Sequence, residues 1–264
     1  MYPFDYQRPA STAAAASAFQ GEARYLAGGQ SLVQAMKLRL SSSERLVDLG
    51  GIAELRGIRV EPGQVTIGAM TTHSTVAASA DVRKAIPALA ELAGGIGDPA
   101  VRNMGTIGGS IANADPAACY PAAVLGLSAT VITNQRRIAG DAFFTGVYET
   151  ALKPGELITA VSFPVPQRAA YIKYKQPASR FALVGVFVAQ TASGVRVAVT
   201  GAAGSVFRCQ PIEAALAKSF TPAAAKAVTE SADGLNADLH ASAAYRAAMI
   251  SVMASRAVAA ALAR

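Results

Sequence analysis

The sequence predicts an α+β chain in two parts: a two-lobed N-terminal domain over residues 1–166, with lobes at about 1–56 and 57–166, and a smaller α+β domain over 167–264. Three observations carry that expectation. Glycine is concentrated in two segments, one within Leu26–Leu32 and one running from Gly94 to Gly109, each embedded among short strand and helix patterns. Two prolines in Pro164-Val165-Pro166 stop a strand-like stretch and mark a boundary. Beyond them strand patterns come first and helical patterns last, the order of an α+β unit.

Taken in order, Ser11–Phe19 is alanine-rich and predicts a short helix, and Arg24–Ala27 predicts a strand entering the first glycine turn. Leu32, Met36 and Leu40 then recur at i, i+4 and i+8, the apolar face of a helix. Leu46–Leu49 predicts a strand with a turn at Gly50-Gly51, and the first lobe closes near Arg56. Ile58–Val60 and Val65–Ile67 predict two strands around Pro62-Gly63. Thr71–Ser74 predicts a helix entry, with His73 as a polar cap or loop residue rather than a base. Ile86, Leu89, Ala90 and Ala93 form a helical stripe. After the second glycine segment, Ala122–Leu127 predicts a helix, Thr130–Thr133 a strand, Arg136–Ile138 its hairpin partner and Asp141–Phe144 a helical turn. Leu157–Phe163 predicts a strand. In the C-terminal part, Tyr171–Tyr174, Leu183–Gln190 and Val195–Val199 predict an antiparallel meander. Helices follow at Pro211–Ala217, Pro222–Thr229 and Ala243–Leu262.

Composition narrows the function. The 264 residues are 52% apolar, but much of that is alanine, and no apolar run reaches the length of a membrane span. Met1–Tyr6 has neither a basic region nor an apolar core, so no secretory signal is legible and a cytoplasmic location is expected. With two cysteines, Cys119 and Cys209, the chain cannot supply the four ligands of an iron–sulfur cluster alone. Its two histidines, His73 and His240, lack a zinc-like spacing. The net charge of +7 is dispersed, without the basic runs and interleaved aromatics of a nucleic-acid binder. There is no G-x-S-x-G elbow, no P-loop and no G-x-G-x-x-G fingerprint, so hydrolase, P-loop and Rossmann chemistry are disfavoured.

What remains is cofactor chemistry, where the protein supplies position and electrostatics. Ala27-Gly28-Gly29-Gln30-Ser31-Leu32 and Gly105-Thr106-Ile107-Gly108-Gly109-Ser110 are both suited to expose successive backbone N–H groups, which make a concave site for phosphate. Two such segments suit a dinucleotide whose pyrophosphate lies between two lobes.

The pair resembles the FAD-binding loops of the p-cresol methylhydroxylase/vanillyl-alcohol oxidase superfamily. Within it, the chain is most similar to the FAD-binding medium subunit of molybdenum hydroxylases of the carbon monoxide dehydrogenase and xanthine dehydrogenase type. The resemblance rests on Ala27–Leu32, Ile67–Thr72, Gly105–Pro116, Pro154–Ile158 and Tyr174–Arg180. It implies a fold: a two-lobed FAD-binding domain of that superfamily followed by a small α+β flavoprotein domain. It also implies a site. Leu26, Ala27, Gly28, Gly29, Gln30, Ser31 and Leu32 would wrap the pyrophosphate. Thr106, Gly108 and Gly109 would form the second cradle, with Ser110 and Asn113 offering side-chain hydrogen bonds. Ile158 matches a position near the adenine portion or the flavin, Lys175 a basic residue near the flavin, and Phe181 an aromatic that shields the ring. Relatives commonly carry an aspartate where this chain has Cys119, so one cofactor contact departs from the pattern.

The function implied is electron transfer on FAD. A partner large subunit would carry the molybdenum cofactor and a small one [2Fe–2S] clusters, in a dimer of heterotrimers. Two alternatives stay open on the sequence: a stand-alone flavin oxidase or reductase of the same superfamily, and a cofactor-free scaffold or nucleic-acid module with glycine-rich loops.

Overall fold

The computed structural model describes residues 1–264. The first lobe holds β1 (Asp5–Gln7), α1 (Thr12–Ala18), β2 (Ala23–Leu26), α2 (Leu32–Lys37) and β3 (Arg45–Asp48). Its three strands form a parallel sheet in the order β1-β3-β2. Ser11 starts α1 by accepting a hydrogen bond from the Ala14 N–H through its hydroxyl. Here α2 ends at Lys37, because Arg39 turns left-handed (φ 59°). Leu40, expected on the buried face of this helix, is 79% exposed, while Met36 is buried as expected.

The second lobe runs through β4 (Ile58–Glu61), β5 (Gln64–Gly68), α3 (His73–Ala78), α4 (Ala80–Ala85), α5 (Pro87–Gly94), α6 (Pro99–Met104), α7 (Ile107–Asn113), α8 (Tyr120–Gly126), β6 (Thr130–Thr133), β7 (Arg137–Ala139), β8 (Phe144–Gly146), β9 (Glu149–Thr150) and β10 (Ile158–Pro164). Five of these strands form one sheet, ordered β4-β5-β10-β6-β7, and β8 pairs only with β9. The stripe of Leu89, Ala90 and Ala93 is buried in α5 as its spacing requires, while Ile86 lies just before the helix, which begins at Pro87. The short helix α6 has no counterpart in the sequence reading; Asp98 caps it through the Val101 N–H and Pro99 opens it.

Sheet membership changes between Pro164 and Arg168. From there β11 (Arg168–Lys175), β12 (Ala182–Thr191), β13 (Gly194–Thr200) and β14 (Phe207–Arg208) form an antiparallel sheet in sequence order. It is covered by α9 (Gln210–Lys218), α10 (Pro222–Lys226) and α11 (Ala243–Leu262). On α11 Ala247, Ile250, Ala254, Ala257, Val258 and Ala261 are buried at three- and four-residue spacing. The alanines let the helix lie close on Val184, Val186 and Val188 of β12.

The two parts share a core. Tyr171 and Phe187 from the C-terminal sheet lie in the same apolar cluster as Val124, Val131 and Phe163. Buried Arg196 on β13 reaches back, donating through Nε to the Leu125 carbonyl (2.7 Å) and pairing with Asp141.

Candidate cofactor site

The site begins where β2 runs into Ala27. At the turn Gly29 takes φ +71°, a conformation that costs a side-chain-bearing residue energy. The backbone N–H groups of Gly28, Gly29, Gln30 and Ser31 donate to no acceptor within the chain. Four consecutive free donors in a partly exposed turn form an anion-binding concavity. The Val33 N–H bonds the Gly29 carbonyl (3.2 Å) and fixes the entry to α2.

The second glycine segment differs from the expected loop. Residues Ile107–Asn113 are the helix α7, capped by Thr106, whose hydroxyl accepts from the Gly109 N–H (3.1 Å). The two donors before it are also used: Ile107 N–H bonds the Thr71 carbonyl (3.1 Å) and Gly108 N–H the Ala69 carbonyl (2.9 Å). Gly108 is there for packing, since a Cβ on it would lie 2.6 Å from the Ala69 Cβ. Gly109 turns towards the first loop, a Cβ there standing 3.3 Å from Ala27 Cβ. Ser110 and Asn113, further along the helix, are partly exposed and make no side-chain hydrogen bond within the chain.

The two glycine segments are in backbone contact. A Cβ on Gly28 would fall 2.0 Å from the Met104 carbonyl oxygen and 2.8 Å from the Gly105 Cα. His73 holds the other side of Gly105: its N–H bonds the Gly105 carbonyl (2.9 Å), and its ring packs 5.4 Å from that of Tyr120. Rather than a polar loop residue, His73 is buried, and that burial, with Arg102 nearby, pushes its pKa down to about 4. It is neutral at pH 7.

The strand β10 joins this frame through its entry. Thr159 accepts from the Ala69 N–H (2.9 Å), and the Tyr25 hydroxyl donates to the Gly155 carbonyl (2.9 Å). Glu156 anchors the turn: its buried carboxylate accepts from Arg136 Nε and Nη2 (2.9 Å each), the Thr133 hydroxyl (2.8 Å) and the Lys153 N–H (2.9 Å). Ile158 is buried at the start of β10, opposite Thr133.

No hydrogen bond links Cys119 or Lys175 to the first loop. Cys119 is buried just before α8, and the residue that reaches it is Lys173: its ammonium donates to Sγ (3.4 Å) and to the Gly95 and Arg180 carbonyls (2.8 Å each). Lys175 is exposed at the end of β11. Spacing alone does not distinguish Lys173 from Lys175, two residues further along β11. Near these residues, a cavity of about 410 Å³ opens between the loop after α7 and the β11–β12 connection, lined by Asp115, Tyr148, Gln176, Phe181 and Arg246 among others. Arg246 is held there by the Leu183 and Gly201 carbonyls (2.7 and 2.9 Å) and by Asp238 (2.7 Å).

Residues 2–166 match the family model described as the FAD binding domain in molybdopterin dehydrogenase. The chain belongs to this family. The carbon monoxide dehydrogenase medium chain of Hydrogenophaga pseudoflava is 36% identical to it over 99% of this chain and 98% of that one. In solved structures, reconstituted CO dehydrogenase from Oligotropha carboxidovorans has a chain that superposes with a TM-score of 0.91 at 36% identity, covering 100% of both chains. Quinoline 2-oxidoreductase from Pseudomonas putida 86 gives 0.90 at 29% identity, covering 98% and 97%. The molybdenum hydroxylase FAD subunit is thus an oxidoreductase component with the α+β architecture expected from its sequence. No helix in it is long and apolar enough to cross a membrane.

Proposed function

We propose that this chain holds FAD between its first two lobes and carries electrons from [2Fe–2S] clusters on a small partner subunit to an external acceptor. A large partner with the molybdenum cofactor would oxidise the substrate, in a dimer of heterotrimers. Bound FAD supplies the redox chemistry, accepting and releasing electrons; the chain's own residues bind and orient it. The observation that carries the reading is the set of four unpaired N–H groups from Gly28 to Ser31, held against Met104–Gly105. They suit a pyrophosphate. Leu26, Ala27 and Leu32 supply apolar flanks, and Ser110 and Asn113 offer free polar side chains along α7.

Seven residues of helix extend about 10 Å, so α7 leads from the nest towards the cavity by Phe181. That end is our choice for the flavin ring, with Phe181 against it. Lys173 is assigned the positive charge beside it, in place of or together with Lys175, and Ile158 packs behind. The division at residue 166 fits the change of sheet there and the end of the family match.

Purified chain should be yellow, and acid precipitation should leave FAD in the supernatant. Flavin retained in the pellet, or FMN in its place, overturns the assignment. Isolated from its native host, the chain should bring down two further polypeptides with iron–sulfur absorbance and molybdenum. A lone chain oxidising an organic substrate at full rate would instead make it a self-contained flavin oxidase.

Cys119→Asp is a second check. Lys173 stands ready to partner the carboxylate, so it does not enter the core unpaired. The variant should bind FAD at least as tightly as the parent, with a melting temperature no lower. Weaker binding together with a lower melting temperature would make Cys119 a packing residue.

A further inference from the structure

The turn after α2 points apolar side chains at solvent. Arg39 adopts φ 59°, and the Leu40 N–H bonds back to the Ala35 carbonyl (2.9 Å), the long bond of a Schellman ending. Such an ending ordinarily uses glycine at the left-handed position and tucks the following apolar residue against the helix. Here the position is arginine, and Leu38 and Leu40 are 71% and 79% exposed. The Arg39 guanidinium lies 5.4 Å from the Tyr2 ring centroid, bringing another exposed apolar residue to the turn. Residues 23–43 contain no acidic side chain, and Arg24, Lys37 and Arg39 are all exposed.

A strained backbone that exposes two leucines beside unpaired cations does nothing for the lobe's own core. Strain of this kind persists where it serves a contact, and exposed apolar groups rimmed by charge mark interaction sites. We propose that the Leu38–Leu40 turn, with Tyr2, is the docking surface for another polypeptide of the complex, one presenting an apolar pocket rimmed by carboxylates. The charge argues for this occupant: Lys37 and Arg39 flank the two leucines, and no acidic side chain occurs between Glu22 and Glu44, which steers towards an acidic partner and disfavours a second copy of the same basic turn. This inference rests on the multi-subunit reading above.

The test uses the full chain, tagged at its C-terminus and expressed in its native host as wild type, as Leu38→Glu/Leu40→Glu and as Arg39→Glu. The two leucines are solvent-exposed, so the double variant should fold and keep wild-type FAD content. Its recovery of iron–sulfur- and molybdenum-bearing partners on size exclusion should fall at least tenfold. Arg39→Glu should weaken recovery and reduce its sensitivity to salt. Full recovery by the double variant overturns the proposal. So does loss of self-association in place of partner loss, or wild-type binding to anionic phosphatidylserine vesicles that the double substitution abolishes. A wild type that holds FAD but recovers no partners overturns the docking proposal and the multi-subunit reading together, while leaving the FAD site standing.

Discussion

Gly28→Ala is expected to leave a folded protein that no longer retains FAD. The new Cβ would meet the Met104 carbonyl oxygen at 2.0 Å and the Met104 carbonyl carbon at 2.7 Å. Both are backbone atoms, so no rotamer change relieves the contact, and the first loop must move away from Gly105. Overpacking costs about 1–3 kcal/mol, which lowers the melting temperature by roughly 2–4 °C for each kcal/mol in a chain of this size. The four N–H groups lose their common aim, and we expect FAD affinity to fall by about 100-fold, or roughly 2.7 kcal/mol. Gly63→Ala serves as the control: that residue also has positive φ (+76°), but its Cβ meets nothing within 4 Å. It should cost stability without touching the flavin. Full flavin occupancy in folded Gly28→Ala, by absorbance ratio and circular dichroism, would show that the loop does not hold the cofactor.

Glu156→Gln is expected to give a large loss of stability. The carboxylate side chain is 0% exposed and paired with an Arg136 that is 39% exposed. The Arg136 hydrogen bonds, with further ones from Lys153 and Thr133, hold its pKa down at about 2 from an ordinary 4.5, against the opposing pull of burial. A depressed carboxyl pKa contributes stability that is fully present above 4.5 and is lost as pH falls from 4.5 through about 2. The glutamine variant, which leaves Arg136 without its charged partner, should lose about 2–4 kcal/mol at pH 7. Its stability should also change less than the parent's between pH 4.5 and 2. Urea melts of both proteins across that range measure the difference. Parallel curves would show that the ion pair contributes nothing to folding. FAD retention should weaken too, since Glu156 anchors the turn whose Gly155 carbonyl receives the Tyr25 hydroxyl.

Periodicity revealed the elements whose burial follows local spacing. Ala243–Leu262 is α11 to the residue, and the meander β11-β12-β13 lies where its alternation placed it. What spacing could not reveal was set by tertiary partners. Gly108 and Gly109 read as loop because glycine is a poor helix former. They are helical because Thr106 caps the turn and only a missing Cβ lets α7 approach Ala69. Leu40 fits a helical stripe in sequence, but the left-handed Arg39 diverts it outward. Lys173 and Lys175 are two residues apart on one strand, with a register irregularity between Tyr174 and Lys175. Only the positions of Gly95, Cys119 and Arg180 single out Lys173. His240 and Arg246 join Asp115 at one cavity from distant parts of the chain, a proximity no local pattern encodes.

The shared core between the two parts has an evolutionary consequence. Gly126, at the end of α8, leaves just enough room for Phe187 of β12: a Cβ there would stand 2.6 Å from the phenylalanine ring. Arg196 closes the same seam on the Leu125 carbonyl. A substitution on one side is therefore tolerated only with an answering change on the other, and the two parts must diversify together. Exchanging C-terminal parts among homologues is then constrained first by this seam. Recombination across residue 166 would succeed where the donor's counterpart of Phe187 fits over Gly126, whatever the similarity of the glycine loops.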